Sequence, residues 1–401
     1  MFTSFKFFNY KLMFTYSTLM SMAGWAHQVT MDWLVLSLTG SAAALGGMIG
    51  VQIAPYLILS LVGGAVADRF NKRNFLMLVC GLNSVFAFTL FILFHREVLT
   101  YSFLIVASLV ISSINAMEAP VRASLSVEVV KKENLANAMG LNSMTFNVGR
   151  LLGTLTAGFL IAHFDNGAPW LVFGFLYAGL GIFLLLLRSN EIEIDRQSEL
   201  KPGKLLDAAN YLRQRPALVR TMILTSLIWG SGMQFGLTSS LMVKKVFELD
   251  AEYLGYIGMT ISLGCIIGAG VASRWAVPGH LPHISTMLKS GVGVAIFWIL
   301  SGTMSSFWWY AITAGIASVF HLTFMVTSNS LVIASVPAYF RGRIYGIYLF
   351  IFWIGSTIGN PIIGKIAQIF SVRTAVISGG VWTLLICSIL YLRERSKSKL
   401  S

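Results

Sequence analysis

Acidic side chains are scarce in this sequence: there are 16 Asp and Glu among 401 residues, and charged residues of both signs make up only 11%. A soluble globular domain carries about 25%, so a chain solvated by water on all sides is excluded. The three cysteines, Cys80, Cys265 and Cys387, sit singly in apolar runs. That excludes a disulfide framework or a metal-ligand spacing and leaves them as small apolar fillers. No small-residue cleavage site follows the first apolar run, so no cleavable signal peptide is expected. No Ser/His/Asp order stands out either, so the chain is not expected to be an enzyme, and neither cofactor nor metal is expected. Gly359-Asn360-Pro361-Ile362-Ile363-Gly364-Lys365-Ile366 has the spacing of a phosphate-binding loop. It lacks the terminal Ser or Thr and follows no strand, so the energy source is expected to be an ion gradient.

Apolar residues are abundant. The chain is 56% hydrophobic and 13% aromatic with 37 glycines, and its mean hydropathy is +0.75, which suits packed membrane helices. The pattern predicts twelve spans over 10–38, 42–67, 74–94, 98–121, 135–163, 170–188, 218–242, 253–274, 286–304, 307–333, 343–369 and 374–392. Each is close to the ~20 apolar residues that cross a bilayer. The net charge of +13 would suit nucleic acid, but the cations lie in short loops and Glu191 to Glu199 is rich in acids. No nucleic-acid partner is expected. Of the 29 Lys and Arg, all lie on the side of the N-terminus except Arg96, Lys244, Lys245 and Arg373, and except Arg150 and Lys365 within spans. By the positive-inside rule both termini are cytoplasmic.

The longest polar stretch separates six spans from six. The expected organisation is a six-helix bundle over 1–188, a cytoplasmic linker over 189–217 with a short amphipathic helix (Leu205 to Leu212), and a second six-helix bundle over 218–401. The halves repeat. A shift of 206 places Gly149, Gly153 and Gly158 on Gly355, Gly359 and Gly364, Gly24 on Gly230, and Asn115 and Arg122 on His321 and Ser328.

Between the second and third spans lies Gly63-Gly64-Ala65-Val66-Ala67-Asp68-Arg69-Phe70-Asn71-Lys72-Arg73. It resembles the G-x-L-A-D-R-x-G-R/K-R/K loop of the major facilitator superfamily. Val66 and Asn71 depart from the pattern, and Asn71 is expected to take the left-handed turn conformation of the glycine it replaces. The run Asn134-Leu135-Ala136-Asn137-Ala138 with Asn142-Ser143 and Phe146-Asn147-x-x-Arg150-x-x-Gly153 is similar to the branch holding macrolide efflux proteins and enterobactin exporters. The resemblance implies an all-α membrane protein of twelve helices in two pseudo-symmetric bundles, in a bacterial cytoplasmic membrane. It also implies a gate at Gly64, Asp68, Arg69, Lys72 and Arg73, with Asp68 capping the helix that follows Arg341-Gly342-Arg343. Gly149 to Gly158 resembles an antiporter motif with Thr154 in place of its proline, and fits plain close packing equally.

Charges within spans are costly and functional by default. Ser21, Trp25, Gln28 and Asp32 share one helical face, as do Asn115, Glu118 and Arg122, and Ser231, Gln234 and Thr238. The resemblance places Trp25, Gln28, Asn115, Gln234, His321 and Ser328 along a substrate path. Asp32, Glu118 and His321 are the proton-exchange candidates. Each has a plainer reading: Asp32 as an interfacial residue beside Trp33, Glu118 and Arg122 as a self-neutralising pair, and His321 as a packing residue. Arg150 needs an acid or a carbonyl, with Glu118 or Asp32 the expected partner. The reading is a monomeric secondary transporter, a proton-coupled exporter of amphipathic drug- or siderophore-like small molecules. A proton-coupled importer, or a receptor or scaffold that moves nothing, is the alternative.

Overall fold

A backbone in hydrocarbon has no water to bond, so each apolar run must satisfy its own N–H and C=O groups as a helix. In the computed structural model, which describes residues 3–69, 71–130, 134–188, 205–230, 235–275, 284–337 and 341–398, the described residues form helices and no strand. In chain order these are α1 Phe8–Thr39, α2 Ala42–Arg69, α3 Lys72–His95, α4 Tyr101–Glu128, α5 Leu135–His163, α6 Ala168–Leu185 and the short α7 Leu205–Arg213. They continue with α8 Pro216–Gly230, α9 Phe235–Leu241, α10 Glu252–Trp275, α11 Ile284–Thr303, α12 Phe307–Ala334, α13 Arg341–Ile369 and α14 Val372–Ser398.

Ten of these, α2 to α6 and α10 to α14, are long and apolar enough to cross a membrane. The two other expected spans differ for reasons of composition. α1 is diluted by Asn9, Lys11, His27, Gln28 and Asp32. The seventh, 218–242, is described as α8 and α9, after which a π turn runs over Met242–Val246, and 231–234 lie outside the described residues. Large exposed apolar side chains such as Ile58, Val106, Phe175, Ile182, Ile267 and Trp382 are spread over the long helices. A soluble monomer avoids such coverage; a bilayer requires it.

Three expectations are corrected. The fourth span does not stop at residue 121: α4 runs through Pro120 to Glu128, which membrane helices tolerate because neighbours re-satisfy the freed carbonyl. Arg122 is therefore inside the helix rather than in a loop. Asn71 is not left-handed. Its φ is −65° and ψ 110°, and its Oδ1 accepts the Asn74 N–H at 3.1 Å, so it caps α3 as Asn commonly does. Asp68 and Arg69 continue α2 instead of forming a turn. Left-handed backbone occurs at Gly40 (φ +59°), which closes α1 by donating to Leu36 O at 3.0 Å. There a side chain would be strained.

Two compact units emerge. Unit one comprises Met1–Gly40, Ala54–Glu199 and Asp250–Met259, and unit two Ser41–Ile53, Leu200–Leu249 and Thr260–Ser401. Within unit one, α1 packs most extensively on α5, and α3 on α6; within unit two, α8 packs on α13 and α11 on α14. These pairs correspond under the 206-residue repeat. Lipid is as apolar as leucine, so close van der Waals contact rather than burial from water holds such pairs, and small residues permit it. A Cβ on Gly149 or Gly153 would collide with the α1 backbone at Ser21 and Met22, and one on Gly355 or Gly359 with the α8 backbone at Ser226 and Gly230. The glycine motif thus works as a packing seam. Unit one's core gathers Tyr10, Met13, Tyr16, Leu76, Val121, Phe173 and Tyr177.

Candidate functional site

Polar groups within the spans of unit one form three sets. The first is on α4, where the i, i+4 spacing puts Glu118 and Arg122 on one face. Arg122 Nε donates to Glu118 Oε1 at 2.8 Å. Glu118 is only 3% exposed, and the hydroxyls of Tyr16, Tyr56 and Tyr177 and the Cys80 thiol lie within its electrostatic reach. The Tyr16 hydroxyl also meets Cys80 Sγ at 3.6 Å. One turn earlier, Asn83 Nδ2 of α3 donates to Asn115 Oδ1 at 3.1 Å. Glu118 is therefore held by a cation, with three tyrosine hydroxyls in its electrostatic neighbourhood.

The second set joins α1 to α5. Arg150 donates to Asn147 Oδ1 at 3.2 Å and lies 5.6 Å over the Trp25 ring, whose other neighbour is Phe146 at 5.5 Å, edge to face. Arg150 thus meets an amide and an indole face, whereas Glu118 is occupied by Arg122.

The third is Asp32, near the far end of α1. It is 2% exposed, and Oδ1 has no hydrogen-bond partner among the described residues. Five residues before it, His27 Nδ1 accepts the Trp170 indole N–H of α6 at 3.3 Å. Gln28 is half-buried.

In unit two, His321 of α12 is seated in an aromatic box. Its ring lies 5.1 Å from Trp229 and 5.3 Å from Phe235, with Trp229 on Phe352 at 4.8 Å and Phe235 on Trp298 at 4.9 Å. Ser328 Oγ shares a 2.6 Å hydrogen bond with Thr225 Oγ1 of α8. A cavity of about 200 Å3 opens beside them, lined by Met325, Asn329, Tyr345, Tyr348 and Phe352 among others.

The motif cations bond within their own unit. Lys72 forms an ion pair with Glu128 at the end of α4, and Arg73 Nη2 donates to Leu185 O of α6 at 2.7 Å. Arg343 is half-buried at the start of α13. The side chains of Gly64, Asp68, Arg69 and Arg341, and all of Gln234 and Ser231, lie outside the described residues. Among the described residues no cluster of three His, Cys, Asp or Glu could hold a metal. Counting charges alone missed Tyr16, Tyr56, Tyr177, Asn83 and the Trp229–Phe235 box. The signal available was helical spacing: Tyr177 and Asn83 are polar positions inside otherwise apolar runs.

A family model described as a transmembrane secretion effector, within the major facilitator families, matches residues 2–399. The chain belongs to this family. An enterobactin exporter, EntS, of Shigella boydii is 26% identical to this chain over 394 residues, covering 91% of the chain and 83% of the relative. The staphyloferrin A transporter of Staphylococcus aureus is 26% identical over 282 residues and 68% of each chain. The lysophospholipid transporter LplT of Photorhabdus laumondii is 25% identical over 287 residues, 70% of this chain and 69% of the other. The chain also shares its fold with solved transporters. A bacterial homologue of the human lysosomal transporter Spinster, in an inward-facing and occupied conformation, superposes with a TM-score of 0.76 at 14% identity, covering 96% and 95% of the two chains. The nucleoside transporter NupG gives 0.74 at 14% identity over 96% and 98%. This family member is accordingly a multi-pass helical membrane protein with the major facilitator fold.

Proposed function

We propose that this chain is a secondary active transporter that exports amphipathic, siderophore-like small molecules by alternating access, driven by proton entry through Asp32. The observation that carries the reading is the contrast between two buried carboxyls. Glu118 is neutralised by Arg122 at 2.8 Å, so loss of its proton is already compensated. Asp32 is as deeply buried and its Oδ1 has no partner among the described residues. Gain or loss of a proton there changes the local energy most, and that is what coupling to a gradient requires.

The aromatic box of Trp229, Phe235 and His321 supports recognition of a cargo with flat or aromatic parts, through stacking. Trp25 with Arg150 supports recognition of an anionic or catecholate-like group. Enterobactin and staphyloferrin A transporters among the relatives favour the siderophore class. The membrane is the bacterial cytoplasmic one, with both termini cytoplasmic as the Lys and Arg distribution indicates.

The test is substrate-dependent proton movement in inverted and right-side-out vesicles, read with a pH-sensitive dye. Export predicts acid loading in the direction opposite to cargo, and its disappearance in Asp32→Asn. Cargo and proton moving in the same direction would establish the importer instead. No proton movement with any siderophore or amphipathic drug would sink both.

A further inference from the structure

The helix α7 leads away from the chemistry above to a site of its own. It is short and two-faced. Ala208 and Leu212 are buried among Leu218, Met222, Val332, Val336, Ile344 and Tyr348, and the Tyr211 hydroxyl donates to Ser335 O at 3.4 Å. Asp207, Asn210 and Arg213 are exposed on the other side. Such a helix lies along a membrane surface instead of crossing it. Arg215 follows and stacks on Tyr211 at 4.7 Å, so its charge is held against α7. At Pro216 the chain turns into α8 and enters the apolar layer.

Where α7 and α8 meet, an open groove of about 400 Å3 is lined by Leu212, Arg213, Pro216, Val219, Arg220, Ile223 and Leu224. Its lining has a sharp order. Arg213 and Arg220 are exposed at the α7 end, and neither has an ion pair or hydrogen bond among the described residues. Further along α8 the exposed residues are Ile223 and Leu227, at 45% and 44%. On a helix, Arg220, Ile223 and Leu227 sit at i, i+3 and i+7, one stripe. Two cations above an apolar stripe, at the depth where a surface helix meets a crossing one, follow the polarity order of one lipid molecule, headgroup above chain.

We propose that this groove binds an anionic glycerophospholipid of the adjoining leaflet. Its phosphate would sit between Arg213 and Arg220, and one acyl chain would lie along Val219, Ile223 and Leu227. Arginine is suited to this because its planar fork bonds phosphate oxygens in pairs. A neutral, zwitterionic lipid carries an amine that two guanidinium groups repel, so phosphatidylglycerol is favoured over phosphatidylethanolamine. The site fixes α7 against α8 at the join between the linker and the second bundle.

The experiment uses the full-length chain, purified in detergent, stripped of lipid, and titrated with phosphatidylglycerol or phosphatidylethanolamine of the same acyl chains while bound lipid is counted by native mass spectrometry. The expected result is one phosphatidylglycerol per chain, held at least tenfold more tightly than phosphatidylethanolamine and not displaced by inorganic phosphate. R213Q/R220Q is expected to weaken it roughly thirtyfold, from the usual value of a basic residue at an anionic surface, whereas R213K/R220K keeps most of it. The wild-type and glutamine variants should unfold at the same temperature before lipid is added. Equal binding of the two lipids, equal binding by R213Q/R220Q, or displacement by inorganic phosphate would overturn the proposal. None of these readouts depends on transport, so the site stands or falls apart from the exported cargo.

Discussion

Arg122 Nε donates to Glu118 Oε1 at 2.8 Å across one turn of α4, with the carboxyl almost completely buried. Removing one member of such a pair strands the other in a poorly solvated interior, whereas removing both does not. Glu118→Gln and Arg122→Gln are each expected to destabilise the protein by about 3 kcal/mol, and the double variant by clearly less than either. Thermal unfolding in detergent, followed by intrinsic tryptophan fluorescence, checks this. Additive losses would mean that the two side chains act independently.

Asp32 is different in kind, because its Oδ1 has no partner among the described residues to give up when the charge is removed. Asp32→Asn is therefore expected to leave the unfolding midpoint unchanged or higher while abolishing substrate-driven proton movement. Vesicle flux and the melting curve, measured on the same preparation, separate the two effects. A variant that still moves protons would transfer the coupling role elsewhere.

Glycines that look alike in sequence are not alike in space. A Cβ on Gly153 runs into the Met22 carbonyl, while one on Gly24 meets nothing within 4 Å. Gly153→Leu is expected to lose about 2 kcal/mol or more by forcing α5 off α1. Gly24→Ala should gain about 0.5 kcal/mol from reduced backbone entropy in the unfolded chain. Yield of monodisperse protein and melting temperature will rank them. Equal behaviour of the two variants would refute the packing seam.

Lys244, on the π turn beyond the seventh span, is partly buried, and that burial lowers its pKa to about 8 from 10.5. Between those values the unfolded chain still carries the proton and the folded one has released it, so stability rises with pH across roughly 8 to 10.5. Lys244→Met should flatten that rise and leave the lower-pH limb in place. Melting temperatures at half-unit steps from pH 7.5 to 10.5 are the measurement.

Much of the fold is written in one dimension. Hydrocarbon admits apolar helices and expels charges, so run length and the positions of Lys and Arg locate spans without any partner being known. The expected fifth span, 135–163, coincides with α5, and Leu205 to Leu212 fall within α7. The 206-residue repeat in the glycines of α5 and α13 reappears as matching contacts with α1 and α8. The misreadings came where a local rule met a tertiary partner. Pro120 and Arg122 read as a helix end, but Glu118 supplies a counter-charge and the neighbouring helices supply packing, so α4 continues for another turn and more. Asn71 read as a glycine substitute, but the start of α3 offered it an N–H to cap.

Sequence alone determined that this chain is a helical membrane protein of duplicated halves with a handful of charges in the wrong solvent, because water and lipid discriminate residue by residue. The i, i+4 spacing already offered Glu118 and Arg122 to each other, but what meets a charge from another helix is a matter of distances that periodicity does not carry. Only the tertiary structure could show the Glu118–Arg122 pair made and buried, set Arg150 against Trp25 as well as Asn147, and leave Asp32 Oδ1 without a partner among the described residues. The reason is that a buried ion's energy depends on what stands within a few ångströms of it, and for Arg150 that includes Trp25, on a helix far away in sequence.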